Sequence, residues 1–140
     1  MKLRITRTDR IGLARPAIDA HTLGLTSFAQ LLGDCGYRCI LADGNVCAYL
    51  NAPEIPKNMD GIFKWISTNS ITIIGLSYRL DPQDGLRFVS VFANAVRTRR
   101  LMVEQGGPIR GIYFAGLPST CALVRRNVKS VSDTFDGDET

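Results

Sequence analysis

Short apolar runs alternate along the chain with stretches in which apolar residues recur every three or four positions. This alternation is typical of βαβ units that build a parallel sheet. One run, Ile71–Leu76, is apolar almost throughout, which predicts a central strand covered by helices on both faces. The others are Ile11–Ala14, Tyr37–Ala42 and Ile112–Ala115, with a weaker fifth at Val128–Val131.

The amphipathic stretches between the runs predict three helices with one buried face each. They cover about Thr22–Cys35, a segment around Trp65, and Asp84–Glu104. Gly36 follows the first helix and a Gly-Gly-Pro sequence follows the third, as expected where helices end. The predicted fold is α/β: a flavodoxin-like (Rossmann-like), doubly wound sheet of four to five parallel strands flanked by helices.

The length of 140 residues, with 45% hydrophobic and 21% charged residues, suits one globular domain. We place that domain at residues 1–132, followed by a polar, acidic tail at 133–140. A doubly wound sheet normally covers its last strand with one more helix, and the sequence shows no pattern for such a helix after its last apolar run. Either the domain is shortened there, or this chain is the N-terminal part of something longer.

Charge and apolar runs narrow the classes of partner and location. The formal net charge of +4 is too small and too scattered to demand nucleic acid, so no nucleic-acid partner is expected. No run approaches the roughly 20 apolar residues that span a bilayer, and no apolar signal-peptide core follows the basic N-terminus. We therefore expect no membrane association, a cytoplasmic location and four reduced cysteines.

The single histidine, His21, lies between the first predicted strand and the first helix. Ligands of open α/β sheets bind at that position, beyond the carboxyl end of a strand. Asp19, two residues earlier, can accept the proton of one ring nitrogen and so direct the other nitrogen at a metal. Gly24 would let a bulky ligand approach the backbone where the helix starts.

The Asp19, His21 and Gly24 spacing resembles the D-x-H-x-x-G motif of cobalamin-binding domains. Such domains occur in methionine synthase, corrinoid methyltransfer proteins, mutase small subunits and cobalamin-dependent radical S-adenosylmethionine enzymes. The resemblance implies that His21 displaces the benzimidazole base of the cofactor and becomes the lower axial ligand of cobalt. It also implies that the displaced nucleotide tail inserts beside the sheet.

Two later segments extend the resemblance. Ser77, after the third run, matches the serine of the family's Ser-x-Leu or Ser-x-Thr element, and Arg79 departs from its usual third residue. Ala115-Gly116 stands where the family has a Gly-Gly pair. The resemblance implies that Ser77 hydrogen-bonds the buried benzimidazole and that Ala115 and Gly116 line the tail channel. It places the charge of Arg79 near the nucleotide or the corrin rim.

The resemblance therefore implies a cobalamin-binding carrier domain or subunit rather than a complete enzyme. With its one histidine committed to cobalt, the chain offers no catalytic residues of its own. A partner domain or subunit would perform the methyl transfer, radical S-adenosylmethionine or mutase chemistry. The alternative is a non-cobalamin ligand-binding or regulatory module of the same fold. A phosphoacceptor receiver domain is disfavoured, because the third run leads into Ser77 rather than an aspartate.

Overall fold

The computed structural model describes residues 4–21 and 23–136 and contains one five-stranded sheet. Every strand is parallel to its neighbours, and the order across the sheet is β2-β1-β3-β4-β5. This order confirms the predicted flavodoxin-like α/β fold, with the strand from the most apolar run at the centre. The strands are β1 (Arg10–Ala14), β2 (Arg38–Leu41), β3 (Ile73–Tyr78), β4 (Gly111–Gly116) and β5 (Val131–Phe135).

The helices cover the two faces of the sheet unequally. In the described part of the chain, α1 alone packs on one face, and the other four α-helices contribute to the larger core on the opposite face. The helices are α1 (Leu23–Asp34), α2 (Gly44–Tyr49), α3 (Pro56–Thr68), α4 (Pro82–Thr98) and α5 (Pro118–Asn127), with a 3-10 turn at Val103–Gln105. No described helix has both the length and the apolar character needed to cross a bilayer.

The helix predicted at Asp84–Glu104 corresponds to α4, which is shorter at its carboxyl end than predicted. It ends at Thr98 rather than Glu104, because Arg100 adopts a left-handed conformation with φ 58° and turns the chain. Leu101 and Met102 are buried beyond that turn, and Met102 pairs with Ile109 on the way to β4. These two residues continue the apolar pattern past the true end of the helix.

The C-terminal region also differs from the prediction. Val128 caps α5, a helix that was not predicted, and the last strand begins only at Val131. That strand extends to Phe135, beyond the expected domain boundary at 132. The rest of the predicted acidic tail, residues 137–140, lies outside the described residues. The four cysteines are all free, as expected for reduced thiols.

An ion pair joins the amino-terminal ends of β1, β3 and β4. Asp9 is 2% exposed and accepts hydrogen bonds from Nε and Nη2 of Arg110 at 2.9 and 2.7 Å. The hydroxyl of Thr72 donates a further bond at 2.8 Å. The Arg110 guanidinium outweighs the cost of burial and holds the pKa of Asp9 far below its usual value.

We expect Asp9→Ala to lower the free energy of unfolding by about 3 kcal/mol, because Arg110 would be left partly buried without its partner. Urea denaturation followed by the fluorescence of Trp65, the single tryptophan, measures this. Arg97→Ala is the control, since it removes a surface ion pair with Glu104 that is worth under about 1 kcal/mol. Equal losses in the two variants would contradict the assignment.

Candidate functional site

The loop between β1 and α1 crosses the carboxyl edge of the sheet at its topological switch point. The chain leaves β1 toward β2 on one side, whereas β3 pairs with the other side of β1. Crevices at such a point are where doubly wound sheets bind ligands. The loop carries Asp19 and His21. Ser77 lies at the end of β3 and Arg79 directly follows that strand, so the structure brings these predicted residues to one edge.

Asp19 is the buried centre of this edge, with 0% exposure. Its Oδ1 accepts hydrogen bonds from the backbone N–H of His21 at 3.0 Å and from Nδ1 of the same residue at 2.7 Å. Its Oδ2 accepts the backbone N–H of Arg79 at 2.7 Å. Burial opposes ionisation, but the bonds from His21 and Arg79 outweigh it and lower the pKa of Asp19.

The bond to Asp19 fixes the tautomer of the neutral His21 ring. An ionised carboxylate can only accept, so Nδ1 carries the proton and Nε2 of the neutral ring keeps its lone pair. The His21 side chain is 58% exposed, and no described residue hydrogen-bonds Nε2. The ring therefore presents an oriented nitrogen donor to whatever lies above the edge of the sheet.

Two side chains hold the loop in this conformation. Nη1 of Arg15 donates to the backbone carbonyl of Asp19 at 2.5 Å. Oδ1 of Asn51, which follows α2, accepts the backbone N–H of Ile18 at 3.0 Å. Because these bonds approach the loop from β1 and from the α2 side, they limit the positions that Asp19 can take.

An apolar crevice opens below the edge, between α1 and the sheet face that α1 covers. Its volume is about 80 Å³. Gly75 and Ala115 line it with little or no side chain, which leaves space above the sheet. Phe28 and Phe135, both more than a third exposed, flank it. Its aliphatic and aromatic lining is completed by Ile5, Ile11, Leu13, Leu25, Leu32, Ile73, Leu76, Tyr113 and Phe114.

Ser77 follows Gly75 on the same face of β3 and pairs with Ala115 of β4. It is 7% exposed, and its hydroxyl makes no hydrogen bond with any residue that the structure describes. A nearly buried hydroxyl without a protein partner is a candidate group for binding a ligand. The structure thus places Ser77 and Ala115 together beside the crevice.

Gly24 and Gly116 stand apart from this group. A Cβ at Gly24 would meet nothing within 4 Å, so packing does not require a glycine there. Gly116 faces the opposite side of the sheet, where a Cβ would meet the carbonyl oxygen of Tyr78 at 2.6 Å and the ring of Phe114 at 2.7 Å. Gly116 is therefore a packing glycine and does not line the crevice.

Three contributors to the site were not predicted from the sequence. Arg15 and Asn51 position the loop, and the backbone N–H of Arg79 completes the carboxylate's bonds. Arginine and asparagine are frequent in loops for many reasons, and a backbone N–H has no sequence signature. The guanidinium of Arg79, which was singled out for its charge, is exposed and has no partner in the described part of the chain.

Comparisons with protein-family models, with curated proteins and with solved structures return no match for this chain.

We expect Asp19→Asn to abolish the preference of His21 for the Nδ1-protonated tautomer, because an amide no longer offers acceptors to all three N–H groups. Long-range ¹H–¹⁵N correlation spectra report this directly, since His21 is the only imidazole. Retention of the Nδ1–H tautomer in the variant would contradict the assigned role of Asp19. The control is Asp43→Asn, which changes the carboxylate that caps α2 by accepting the backbone N–H of Val46.

The same substitution should lower the free energy of unfolding by about 1–3 kcal/mol, since it leaves a buried donor unpaired. The pKa of Asp19 is lower in the folded state than its usual 3.8, so its stabilisation is complete above that pH and is lost as the pH falls. Urea denaturation at pH 7 and at pH 3 should therefore show a smaller difference between the two proteins at the lower pH. A constant difference would oppose this assignment.

Proposed function

We propose that this chain is a cobalamin-binding carrier domain in which Nε2 of His21 is the lower axial ligand of cobalt. The observation that carries the proposal is the 2.7 Å bond from Nδ1 of His21 to the buried carboxylate of Asp19. It makes Nε2 the donor atom and orients the ring. The pair lies at the switch point, where a large planar cofactor can rest on the edge of the sheet.

The donor set suits a metal that arrives with most of its ligands. The described residues contain no group of three or more His, Cys, Asp or Glu side chains placed to hold a metal ion. A corrin ring supplies the four equatorial nitrogens of its cobalt, so a single protein nitrogen completes the lower side. His21 can supply that nitrogen without help from another side chain.

The crevice beside Ser77 suits the displaced nucleotide tail in its chemistry. Its lining is apolar, and the Ser77 hydroxyl beside it is without a protein partner, as a buried benzimidazole with one ring nitrogen acceptor would require. At about 80 Å³ the crevice holds only about two or three water molecules. Entry of the base therefore requires the crevice to widen.

Arg79 contributes twice in this proposal. Its backbone N–H holds Asp19, and its exposed guanidinium, free of described partners, is available to the phosphate of the nucleotide tail. Arginine binds phosphate through charge and through paired N–H donors. The departure from the family pattern at this position is thus compatible with an anionic cofactor tail.

When bound, the corrinoid would supply cobalt–carbon bond chemistry. The residues of this chain would hold it, and the Asp19–His21 pair would set the electron density at its lower face. Methyl transfer, radical S-adenosylmethionine or mutase chemistry would take place with a partner domain or subunit. The partner is part of the proposal because His21, the single imidazole of the chain, would be committed to cobalt.

The proposal is tested by incubating the protein with hydroxocobalamin, desalting it and recording the visible spectrum and the electron paramagnetic resonance spectrum after reduction to cobalt(II). We expect retained corrin whose axial nitrogen splitting changes from a triplet to a doublet when the protein carries ¹⁵N-histidine. That change distinguishes the protein's nitrogen from the benzimidazole of the cofactor. The isotope-dependent splitting should be absent in His21→Ala and present in Asp43→Asn.

A colourless protein after desalting, or corrin retention that is the same in His21→Ala, would overturn the proposal. The first result would favour a non-cobalamin ligand-binding or regulatory module of the same fold. The second would place any bound corrinoid elsewhere on the molecule.

The crevice is tested separately by Ala115→Leu, which fills it from β4 without touching His21. We expect affinity for cobalamin to fall at least tenfold, while affinity for cobinamide, which lacks the nucleotide tail, changes less than twofold. Gel-filtration binding assays with both corrinoids measure the difference. An equal effect on both would show that the tail does not enter this crevice.

A further inference from the structure

A second pocket lies at the carboxyl edge of the sheet, on the face opposite the crevice. We call it the Tyr78 pocket, after the residue at the end of β3 that lines it. The loop after β1, the segment joining α2 to α3, and α4 border an open pocket with a volume of about 250 Å³. The three walls contribute Pro16 and Ile18, Asn51 and Glu54, and Asp84 and Arg87, respectively.

The floor of the Tyr78 pocket is apolar and packed. Leu50 is buried, and the rings of Tyr78 and Phe88 stack with their centroids 5.8 Å apart. Asn51 ties two of the walls together through its bond to the backbone of Ile18. The pocket is therefore formed in advance, with a base that suits a short apolar group.

Tyr78 brings a polar group to this floor that the fold does not use. The residue is 5% exposed, and its hydroxyl makes no hydrogen bond within the described part of the chain. Burial and the nearby carboxylates, Asp84 first among them, raise the pKa of Tyr78, so the phenol stays protonated and able to donate. The hydroxyl is not sealed inside the core, because Tyr78 lines the pocket, so it is available to donate to a ligand there.

The rim of the Tyr78 pocket carries charges of both signs. Glu54 faces α4 from the loop before α3, and Asp84 and Arg87 lie one turn apart on α4. None of the three forms an ion pair with a described residue, although Asp84 and Arg87 are close enough along the helix to do so. A ligand with a single charge could pair with the acidic residues of the rim or with Arg87, but not with both, whereas a zwitterion can pair with both.

We propose that the Tyr78 pocket binds a free α-amino acid with an apolar side chain. The ammonium group lies toward Glu54 and Asp84, the carboxylate lies toward Arg87 and the Tyr78 hydroxyl, and the side chain rests on the floor. The volume equals that of about eight water molecules, which accommodates such a molecule. This site is separate from the proposed corrinoid site and does not depend on it.

The experiment is isothermal titration calorimetry on the whole chain without corrinoid, at low ionic strength and pH 7. The probes are L-leucine, L-valine and L-methionine, followed by the amine and the carboxylic acid that correspond to the tightest of them. We expect the amino acid to bind at least tenfold more tightly than either analogue, because each analogue leaves one side of the rim unmatched.

Variants assign the binding to the Tyr78 pocket. Arg87→Gln should weaken amino-acid binding at least tenfold, and Tyr78→Phe should weaken it at least threefold. Arg126→Gln, in an exposed arginine of α5 that is not part of the pocket, should leave it unchanged. His21→Ala should also bind the amino acid normally. A failure of cobalamin binding would therefore leave amino-acid binding in the Tyr78 pocket unaffected. Urea midpoints verify that each variant is folded, and Asp84→Asn replaces Tyr78→Phe if the latter is not.

Three results would overturn the proposal: no binding of any of the three amino acids, an amine or acid that binds as tightly as its parent amino acid, or full binding by Arg87→Gln. Chemical-shift changes on titration should map to residues of the α2–α3 segment and α4. Changes confined to the crevice under α1 would likewise contradict the assignment.

Discussion

The buried carboxylate of Asp19 is the constraint on which the carboxyl edge of the sheet depends. Its side chain forms no ion pair with an arginine or lysine of the described residues and relies on three N–H donors, two from His21 and one from the backbone of Arg79. Those donors come from the loop after β1 and from the end of β3, which meet only because β1 and β3 are neighbours. The same bonds that make the buried charge tolerable therefore join two strand ends and orient the imidazole.

Parts of this arrangement could be read from the sequence because they are local or strongly patterned. Buried parallel strands give continuous apolar runs, so β1, β3 and β4 were identified, and the contact between Asp19 and His21 follows from a separation of two residues. The end of α4 could not be read, because Leu101 and Met102 are buried by the return to β4 rather than by the helix. The bond from Arg79 depends on tertiary pairing alone and leaves no trace in side-chain chemistry.

The short helices were missed for different physical reasons. The six residues of α2 are too few to show a helical period, and the segment is stabilised by the Asp43 cap and by burial of Val46 and Cys47. The helix α5 begins at Pro118, which reads equally well as part of a turn after β4. Its buried positions become visible only once β5 is known to begin after it. The unequal covering of the two sheet faces follows from these helices, since all of them add to one side.

The loop that carries Asp19 and His21 also forms one wall of the Tyr78 pocket, through Pro16 and Ile18. Asn51, on the other side of that pocket, accepts the backbone N–H of Ile18, one residue before Asp19. A ligand that displaced this wall would therefore shift the position of His21, three residues after Ile18, through bonded atoms of the same loop. Thermodynamic linkage would make such an effect reciprocal, so a ligand bound through His21 would alter the affinity of the pocket by the same factor. The magnitude depends on how differently the two positions of the loop bind each ligand, because a ligand with equal affinity for both shifts neither.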